Sequence, residues 1–256
     1  MLWLPLALSS MPAELALVAA PSVLWRVERA EPPLRFSQLN LVDAANDRAG
    51  NRFDVPGAGV LYGATEPSGG FAETLAGYRP RASMLRAFSE VEAVPGRELP
   101  GDVSVAWLRS RRLRSFTTVS ALPFVDVESP ATHTHLTAAA ADVLVQQGIE
   151  NLDVAHIRGP SRRLTRAIAS WVYSRTDTHG DPLYAGIRYM SRLGAFECWA
   201  VFDGTTVELL SSSTIAPADE PLTATLKQFG MTIRPAPERS SALSAPEPEA
   251  RAPASF

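Results

Sequence analysis

Strand and helix patterns follow one another from residue 22 to residue 234 without a regular β-α-β repeat. The segments "SVLWRV" (22–27) and "VLYGA" (60–64) predict strands, because each is a short apolar run next to polar or glycine-rich residues. Further along, "YAGIRYMS" and "AFECWAVFDG" predict two strands joined by the short turn "RLG". This irregular mixture favours an α+β fold, with a mixed sheet and helices in a single domain, over a doubly wound parallel sheet. A chain of 256 residues is long enough to bury a full core in such a domain.

Apolar residues at helical spacing predict the helices that accompany these strands. The clearest is "SRRLTRAIASWVYSR", which starts at Ser161 as a capping residue and carries its arginines opposite an apolar stripe. "THTHLTAAAADVLVQQG" predicts one continuous helix that stops at Gly148. "SGGFAETLAGY" predicts a helix from near Ser68 with Tyr78 on its apolar side, and "PLTATLKQFGMTI" predicts a final helix and strand.

The two ends of the chain are predicted to lie outside this domain, which we place at residues 22–234. Residues 1–21 form an apolar N-terminal extension, but they lack the basic start of a signal peptide and are interrupted by prolines. Met1 and Met11 are both candidate start residues. Residues 235–256 are rich in Pro, Ala, Ser and charge, which predicts a disordered tail. No segment has the roughly 20 uninterrupted apolar residues of a membrane span, so no membrane association is expected.

Charge and cysteine content narrow the function classes. The 24 basic residues, of which only Lys227 is a lysine, are scattered among 27 acidic residues, and the formal net charge is -3. This distribution does not form a basic stripe, so no direct nucleic-acid binding is predicted. A single cysteine, Cys198, excludes an internal disulfide and any multi-cysteine zinc site. These features predict a cytoplasmic protein.

Several common catalytic motifs are missing from the sequence. "GAGVLYG" (57–63) has the wrong glycine spacing for a dinucleotide-binding turn after a strand. The two histidines of "HTH" (133–135) have no carboxylate or cysteine at ligand spacing, so we predict solvated histidines and no metal site. There is also no serine-hydrolase elbow, zincin helix or Walker loop.

Five residues stand out in an ordered set of short motifs. They are Arg26 in "LWRVER", Arg52 in "GNRFD", Tyr62 in "VLYGAT", Glu73 in "GFAETL" and Ser191 in "GIRYMSR". In kind and order these motifs resemble the RES-domain family, which is named for an arginine, a glutamate and a serine. The resemblance covers about residues 22–205. Two positions depart from its usual pattern, since Asn51 stands for a second glycine and Phe53 for a frequent tryptophan. Both replacements keep the backbone freedom or the aromatic body that the pattern needs.

The resemblance implies a fold like that of ADP-ribosyltransferases and an enzyme that consumes NAD⁺ as a substrate, without a prosthetic group. Family members cleave the nicotinamide–ribose bond by phosphorolysis or hydrolysis, or transfer ADP-ribose to a protein. They are commonly toxins encoded beside a helix-turn-helix antitoxin of the Xre type that caps the active site. The same resemblance implies catalytic roles for Glu73, Arg52 and Ser191, and NAD⁺ binding by Arg26, Arg52, Tyr62 and Ser191.

The chemistry of NAD⁺ cleavage is compatible with these residue types. Loss of neutral nicotinamide builds positive charge on the ribose and requires no general acid, so one carboxylate such as Glu73 suits it. Guanidinium groups match the diphosphate and would also hold inorganic phosphate as a co-substrate. Water, phosphate and a protein all remain open as the acceptor. A non-catalytic nucleotide- or partner-binding module is the alternative from another function class.

Each of the five residues also has a purely structural interpretation. These are a solvated helix position for Glu73, surface ion pairs of Arg26 with Glu28 and of Arg52 with Asp54, a core position for Tyr62 and a turn role for Ser191. Taken singly, the structural interpretation is the simpler one for every residue. The occurrence of all five residues together and in order favours a shared functional site over five separate structural roles.

Overall fold

A curled mixed sheet organises the computed structural model, which describes residues 14–89, 100–119 and 122–234. The strands are β1 (Leu17–Val18), β2 (Leu24–Arg29), β3 (Ser37–Gln38), β4 (Gly59–Ala64), β5 (Asp102–Ser104), β6 (Arg111–Thr118), β7 (Phe124–Asp126), β8 (Gly186–Met190), β9 (Glu197–Phe202), β10 (Val207–Thr214) and β11 (Thr232–Arg234). The main sheet has the order β1-β7-β8-β9-β4-β2-β6-β10, with β3 paired to β4. Its pairs are antiparallel except for β7 with β8, and β5 and β11 form a separate parallel pair.

Helices pack against the sheet and complete the fold. They are α1 (Pro67–Leu75), α2 (Ala82–Ser89), α3 (Val105–Arg109), α4 (Pro130–Ala139), α5 (Ala141–Gln146), α6 (Val154–Ile157), α7 (Arg162–Tyr173) and α8 (Glu220–Phe229). One core cluster joins α4, α5 and α7 to strands β4, β7, β8 and β9, and a second joins α1, α3 and α8 to β2. The predicted α+β class and single domain are therefore confirmed.

Helix α7 shows how the sequence builds these layers. The Oγ of Ser161 accepts a hydrogen bond from the Leu164 backbone N–H at 3.3 Å, which satisfies one free donor of the first turn. Leu164, Ile168 and Val172 are buried on one side, as their spacing predicts. Arg166, however, is also buried on this helix, whereas the pattern placed its arginines on the outward side. Its side chain binds backbone carbonyl oxygens, which makes its burial tolerable.

Helix α1 approaches the sheet closely because two glycines face it. A Cβ on Gly69 would lie 2.7 Å from the Cβ of Ala64, and a Cβ on Gly70 would lie 3.3 Å from the Cα of Arg26. Pro67 occupies the first turn, so the helix starts one residue before the predicted Ser68. This close packing brings the helix that carries Glu73 against the strand that carries Arg26.

Three local predictions were wrong. The helix expected to run continuously to Gly148 is divided into α4 and α5 at Ala140, whose φ of -119° and ψ of 28° lie outside the helical region. Tyr78 does not sit on an apolar helix side but in a short 3-10 turn, with 43% of its surface exposed. His133 is not solvated: it is buried, and its Nε2 lies 2.7 Å from the carbonyl oxygen of Val127.

The ends of the chain fall partly outside the described residues. Residues 1–13 and the predicted tail at 235–256 are not described, so the predicted disorder of the tail stays a prediction. The last part of the predicted N-terminal extension is described, and its strand β1 pairs with β7 at the edge of the main sheet. Within the described segments, every helix is too short or too polar to cross a lipid bilayer.

Candidate functional site

A cleft of about 550 Å³ opens between helix α1, strands β2 and β4, and the segment that follows β8. This volume lies in the range of small-molecule sites. The charged residues that line it are Arg26, Arg52, Glu73, Arg79, Arg162 and Arg192. Among the described lining residues, five arginines thus face a single carboxylate, which favours an anionic ligand. The predicted residues Arg26, Arg52, Tyr62 and Glu73 all line this cleft.

Ser191 joins the same site through Glu73. Its Oγ donates a hydrogen bond of 2.6 Å to Oε1 of Glu73, a short distance typical of a hydroxyl bound to a carboxylate. The backbone N–H of Leu193 donates to the same Oγ at 3.0 Å, which fixes the orientation of the hydroxyl. Ser191 is 5% exposed, whereas Glu73 remains open to the cleft. The serine therefore orients one carboxylate oxygen of Glu73, while the side chain remains accessible from the cleft.

Arg26 lies on β2 and pairs with Glu28, as the structural interpretation predicted, but the pair is largely buried and not on the surface. Its Nε is 2.9 Å from Oε2 of Glu28, while Oε1 of the same carboxylate accepts from Nη1 of Arg114 at 2.7 Å. Nε and Nη1 of Arg26 are buried without a well-aligned hydrogen bond in the described structure. Burial lowers the pKa of Arg26, and the charge of Glu28 partly opposes that shift. A buried donor without an acceptor costs free energy, so an anion bound beside Nη1 of Arg26 would stabilise it.

Arg52 is held in a different way from the one predicted. It does not pair with Asp54; instead its Nη2 donates to the carbonyl oxygen of Ile157 at 2.5 Å, and its Nη1 approaches that of Met190 at 3.4 Å. Its guanidinium carbon lies 5.2 Å from the centre of the Phe53 ring and 5.4 Å from that of Tyr189. Burial lowers the pKa of Arg52. Arg52 therefore contributes positive charge to the cleft while two of its nitrogens are committed to the backbone.

Tyr62 presents its ring to the cleft while its hydroxyl is occupied elsewhere. The hydroxyl donates to Oδ1 of Asp54 at 2.7 Å, and Asp54 is 2% exposed. Burial and then the Asp54 charge raise the pKa of Tyr62 well above its usual value. The hydroxyl proton is thus engaged by Asp54 and is not available to a ligand.

Three arginines around this site were not indicated by the sequence motifs. Arg79, Arg162 and Arg192 line the cleft but were not predicted. Arg192 stood next to Ser191 in the motif "GIRYMSR", so its position in the sequence could have indicated it. Arg79 and Arg162 carry no local signal, because an arginine next to a proline or on a helix resembles an ordinary surface residue. No cluster of three or more His, Cys, Asp or Glu side chains suited to a metal ion occurs in the described part of the chain.

Comparison with known families identifies one family for this chain. The sequence model described as the RES domain matches residues 23–225, which is most of the chain. The match extends from β2 to α8 and includes all five residues singled out from the motifs. No curated protein matches the chain.

Proposed function

The chain belongs to the RES-domain family, and from this premise we propose that it is an enzyme that consumes NAD⁺ by cleaving the bond between nicotinamide and ribose. The observation that carries the proposal is the oriented carboxylate of Glu73, in a cleft whose other charged lining residues, among those that the structure describes, are arginines. The carboxylate can stabilise positive charge that develops at one point of a ligand, while the arginines attract its negatively charged groups. NAD⁺ has both features, since its ribose becomes cationic during cleavage and its diphosphate is anionic.

The reaction starts with rupture of the glycosidic bond. Nicotinamide leaves as a neutral base with the bonding electron pair, so no proton has to be supplied to it. The ribose is left as an oxocarbenium-like cation, and the carboxylate of Glu73 stabilises the charge that develops there. Ser191 holds Oε1 of Glu73, which lowers the reorganisation needed as the charge forms.

A nucleophile then attacks the cationic carbon of the ribose. Water gives ADP-ribose and a proton, which Glu73 is placed to accept. Inorganic phosphate gives a phosphorylated ADP-ribose and needs no further proton transfer. The excess of arginines in the cleft supports phosphate as an acceptor, because a second anion would be held near the diphosphate.

The arginines and the tyrosine divide the remaining tasks. Arg26 supplies a buried Nη1 without an acceptor among the described residues, which makes it a candidate for binding the diphosphate. Arg52 acts by its charge and by ordering the wall of the cleft, since its two terminal nitrogens bind the backbone. Tyr62 offers its ring face to a planar base.

The proposed activity has finer alternatives, which differ in the acceptor of the ADP-ribose and in the protein partner. Transfer of ADP-ribose to a protein would use the same activated ribose with a side chain as nucleophile. A toxin role in the cytoplasm, with a helix-turn-helix antitoxin of the Xre type covering the cleft, fits an open site whose ligand is an essential metabolite. A non-catalytic module would bind NAD⁺ in the same cleft without turnover.

A direct assay distinguishes these alternatives. Purified protein is incubated with NAD⁺, with and without inorganic phosphate, and the release of nicotinamide and the nature of the ADP-ribose product are followed. Phosphate-dependent release with a phosphorylated product would identify a phosphorylase, and phosphate-independent release would identify hydrolysis or transfer. Folded protein that binds NAD⁺ but releases no nicotinamide under either condition would refute the enzyme proposal and leave the binding module.

A further inference from the structure

A buried arginine on helix α7 donates hydrogen bonds to the backbone of the loop that leads to Arg52. The side chain of Arg166 is 2% exposed and lies among carbonyl oxygens of this loop. Its acceptors are the backbone oxygens of Ala44 (3.1 Å), Asn46 (3.0 Å), Ala49 and Asn51 (3.2 Å). Four carbonyl dipoles that converge on one point would repel one another without a cation between them.

Two neighbours on α7 strengthen the same attachment. Nη1 of Arg162 donates to the carbonyl oxygen of Gly50 at 2.6 Å, and Oγ1 of Thr165 donates to that of Arg52 at 2.5 Å. The loop from residue 44 to residue 52 is thus fixed along its length to one turn of a helix. Because side chains from the helix bind so many carbonyl oxygens of this loop, its backbone has a defined conformation.

The other side of the loop is fixed to Asp54. The backbone N–H of Asn51 donates to Oδ2 of Asp54 at 2.6 Å, and Oδ1 of this carboxylate accepts the Tyr62 hydroxyl. Gly50 has a φ of +53°, and a Cβ at this position would lie only 2.5 Å from Oδ2 of Asp54. The charge of Asp54 also raises the pKa of Arg166 against the larger lowering caused by burial. The loop therefore lies closely between the arginine and the aspartate.

From this geometry we infer that Arg166 is a positioning residue: by holding the loop at 44–52, it places Arg52 and the Asp54–Tyr62 pair at the wall of the cleft. It acts through the loop, since it is not among the residues that line the cleft. Arginine is required because its planar group offers five donors in a fixed fork, whereas the three donors of a lysine radiate from one atom. The catalytic consequence rests on the proposed cleavage of NAD⁺, whereas the effect on the loop does not.

The test is hydrogen exchange of the intact chain carrying Arg166→Lys. Amides at 47–52 are expected to exchange roughly 10- to 100-fold faster than in the unaltered protein, because several buried hydrogen bonds are lost. Amides of β9, in the central part of the sheet, are expected to keep their rates. Arg175→Lys is the matched control, because Arg175 lies just beyond the same helix and its side chain donates to Trp171 and Ser174, outside the loop.

A second variant protects the test against a failure of Arg166→Lys to fold. Thr165→Val removes only the hydroxyl that binds the Arg52 carbonyl oxygen, and it is expected to raise exchange near Arg52 by a smaller factor. Unchanged exchange at 47–52 in both variants, or an equal increase throughout the protein, would overturn the inference. If nicotinamide release can be measured, Arg166→Lys should also lower kcat more than it raises KM; a pure KM effect would contradict the positioning role. A chain without turnover still yields the exchange result, so the two proposals fail separately.

Discussion

The hydroxyl of Ser191 donates to Oε1 of Glu73 at 2.6 Å, although 118 positions separate the two residues in the chain. The contact exists because the turn after β8 ends beside helix α1, which the glycines at its start allow to approach the sheet. The serine thereby sets the orientation of the one carboxylate in the described lining of the cleft.

Replacing this serine tests the value of that orientation. Ser191→Ala removes the donor to Glu73, so we expect kcat for nicotinamide release to fall roughly 10- to 100-fold with little change in KM. Ser174→Ala is the control, since its hydroxyl, at the end of α7, bonds to Trp171 and Arg175, neither of which lines the cleft. A normal kcat in Ser191→Ala would show that the hydrogen bond does not serve the reaction.

The buried nitrogens of Arg26 predict a binding effect. Arg26→Met should weaken NAD⁺ binding roughly 10- to 100-fold in a calorimetric titration, because a charge-assisted contact to the diphosphate is lost. Glu28 keeps its partner Arg114, so the fold should tolerate the change. Arg29→Met, at the exposed end of the same strand, should bind NAD⁺ normally. Equal affinity of the two variants would exclude Arg26 from the binding site.

The close approach of α1 predicts a stability difference between two glycines. Gly69→Ala should lower the free energy of unfolding by about 1–3 kcal/mol, because its Cβ would lie 2.7 Å from the Cβ of Ala64. At Gly77 a new Cβ has no heavy atom within 4 Å, so Gly77→Ala should be within about 0.5 kcal/mol of the original protein. Denaturant titration measures both changes. Similar values for the two variants would contradict the close packing of α1.

The raised pKa of Tyr62 predicts how stability changes at alkaline pH. Because the pKa is higher in the folded than in the unfolded chain, the stabilisation is complete below the unfolded value of about 10 and is lost as the pH rises above it. The free energy of unfolding should therefore fall more steeply above about pH 10 in the original protein than in Tyr62→Phe. Tyr189, whose pKa is also raised by burial, should leave part of the slope in the variant. Parallel profiles would show that Tyr62 does not titrate differently on folding.

The sequence predicted those elements whose pattern is local. Strands β2, β4, β8 and β9 are apolar runs, and α7 has both a cap and an apolar stripe. Strand β6 was missed because its sequence "RRLRSFTT" looks solvated, whereas Arg114 within it is buried against Glu28 from another strand. Strand β10 was missed because it lies at the sheet edge, with seven of its eight residues exposed, and shows no alternation.

The motif residues of the candidate site were predictable, whereas Arg79, Arg162 and the hydrogen-bond partners of the motif residues were not. The motifs indicated Arg26, Glu73 and Ser191 as members of one site. In the structure Arg26 and Glu73 line one cleft, and Ser191 is hydrogen-bonded to Glu73. The sequence could not show that Asp54 binds Tyr62 and not Arg52. Arg52 is two positions from Asp54 and Tyr62 is eight positions away, and a buried carboxylate can bind a partner at either separation. Such partners depend on tertiary packing, which one sequence does not encode in any local pattern.

The carboxylate of Glu73 is the centre of the account, and its removal is the most direct test. Nicotinamide release from NAD⁺ should be measured for the original protein, for Glu73→Gln and for Glu66→Gln, which alters an exposed carboxylate at the start of the same helix. Glutamine can still accept the hydrogen bond from Ser191 but carries no charge, so we expect kcat in Glu73→Gln to fall roughly 100- to 1000-fold with NAD⁺ binding retained. Glu66→Gln should behave as the original protein. Equal release by all three proteins would contradict the claim that Glu73 stabilises the ribosyl cation.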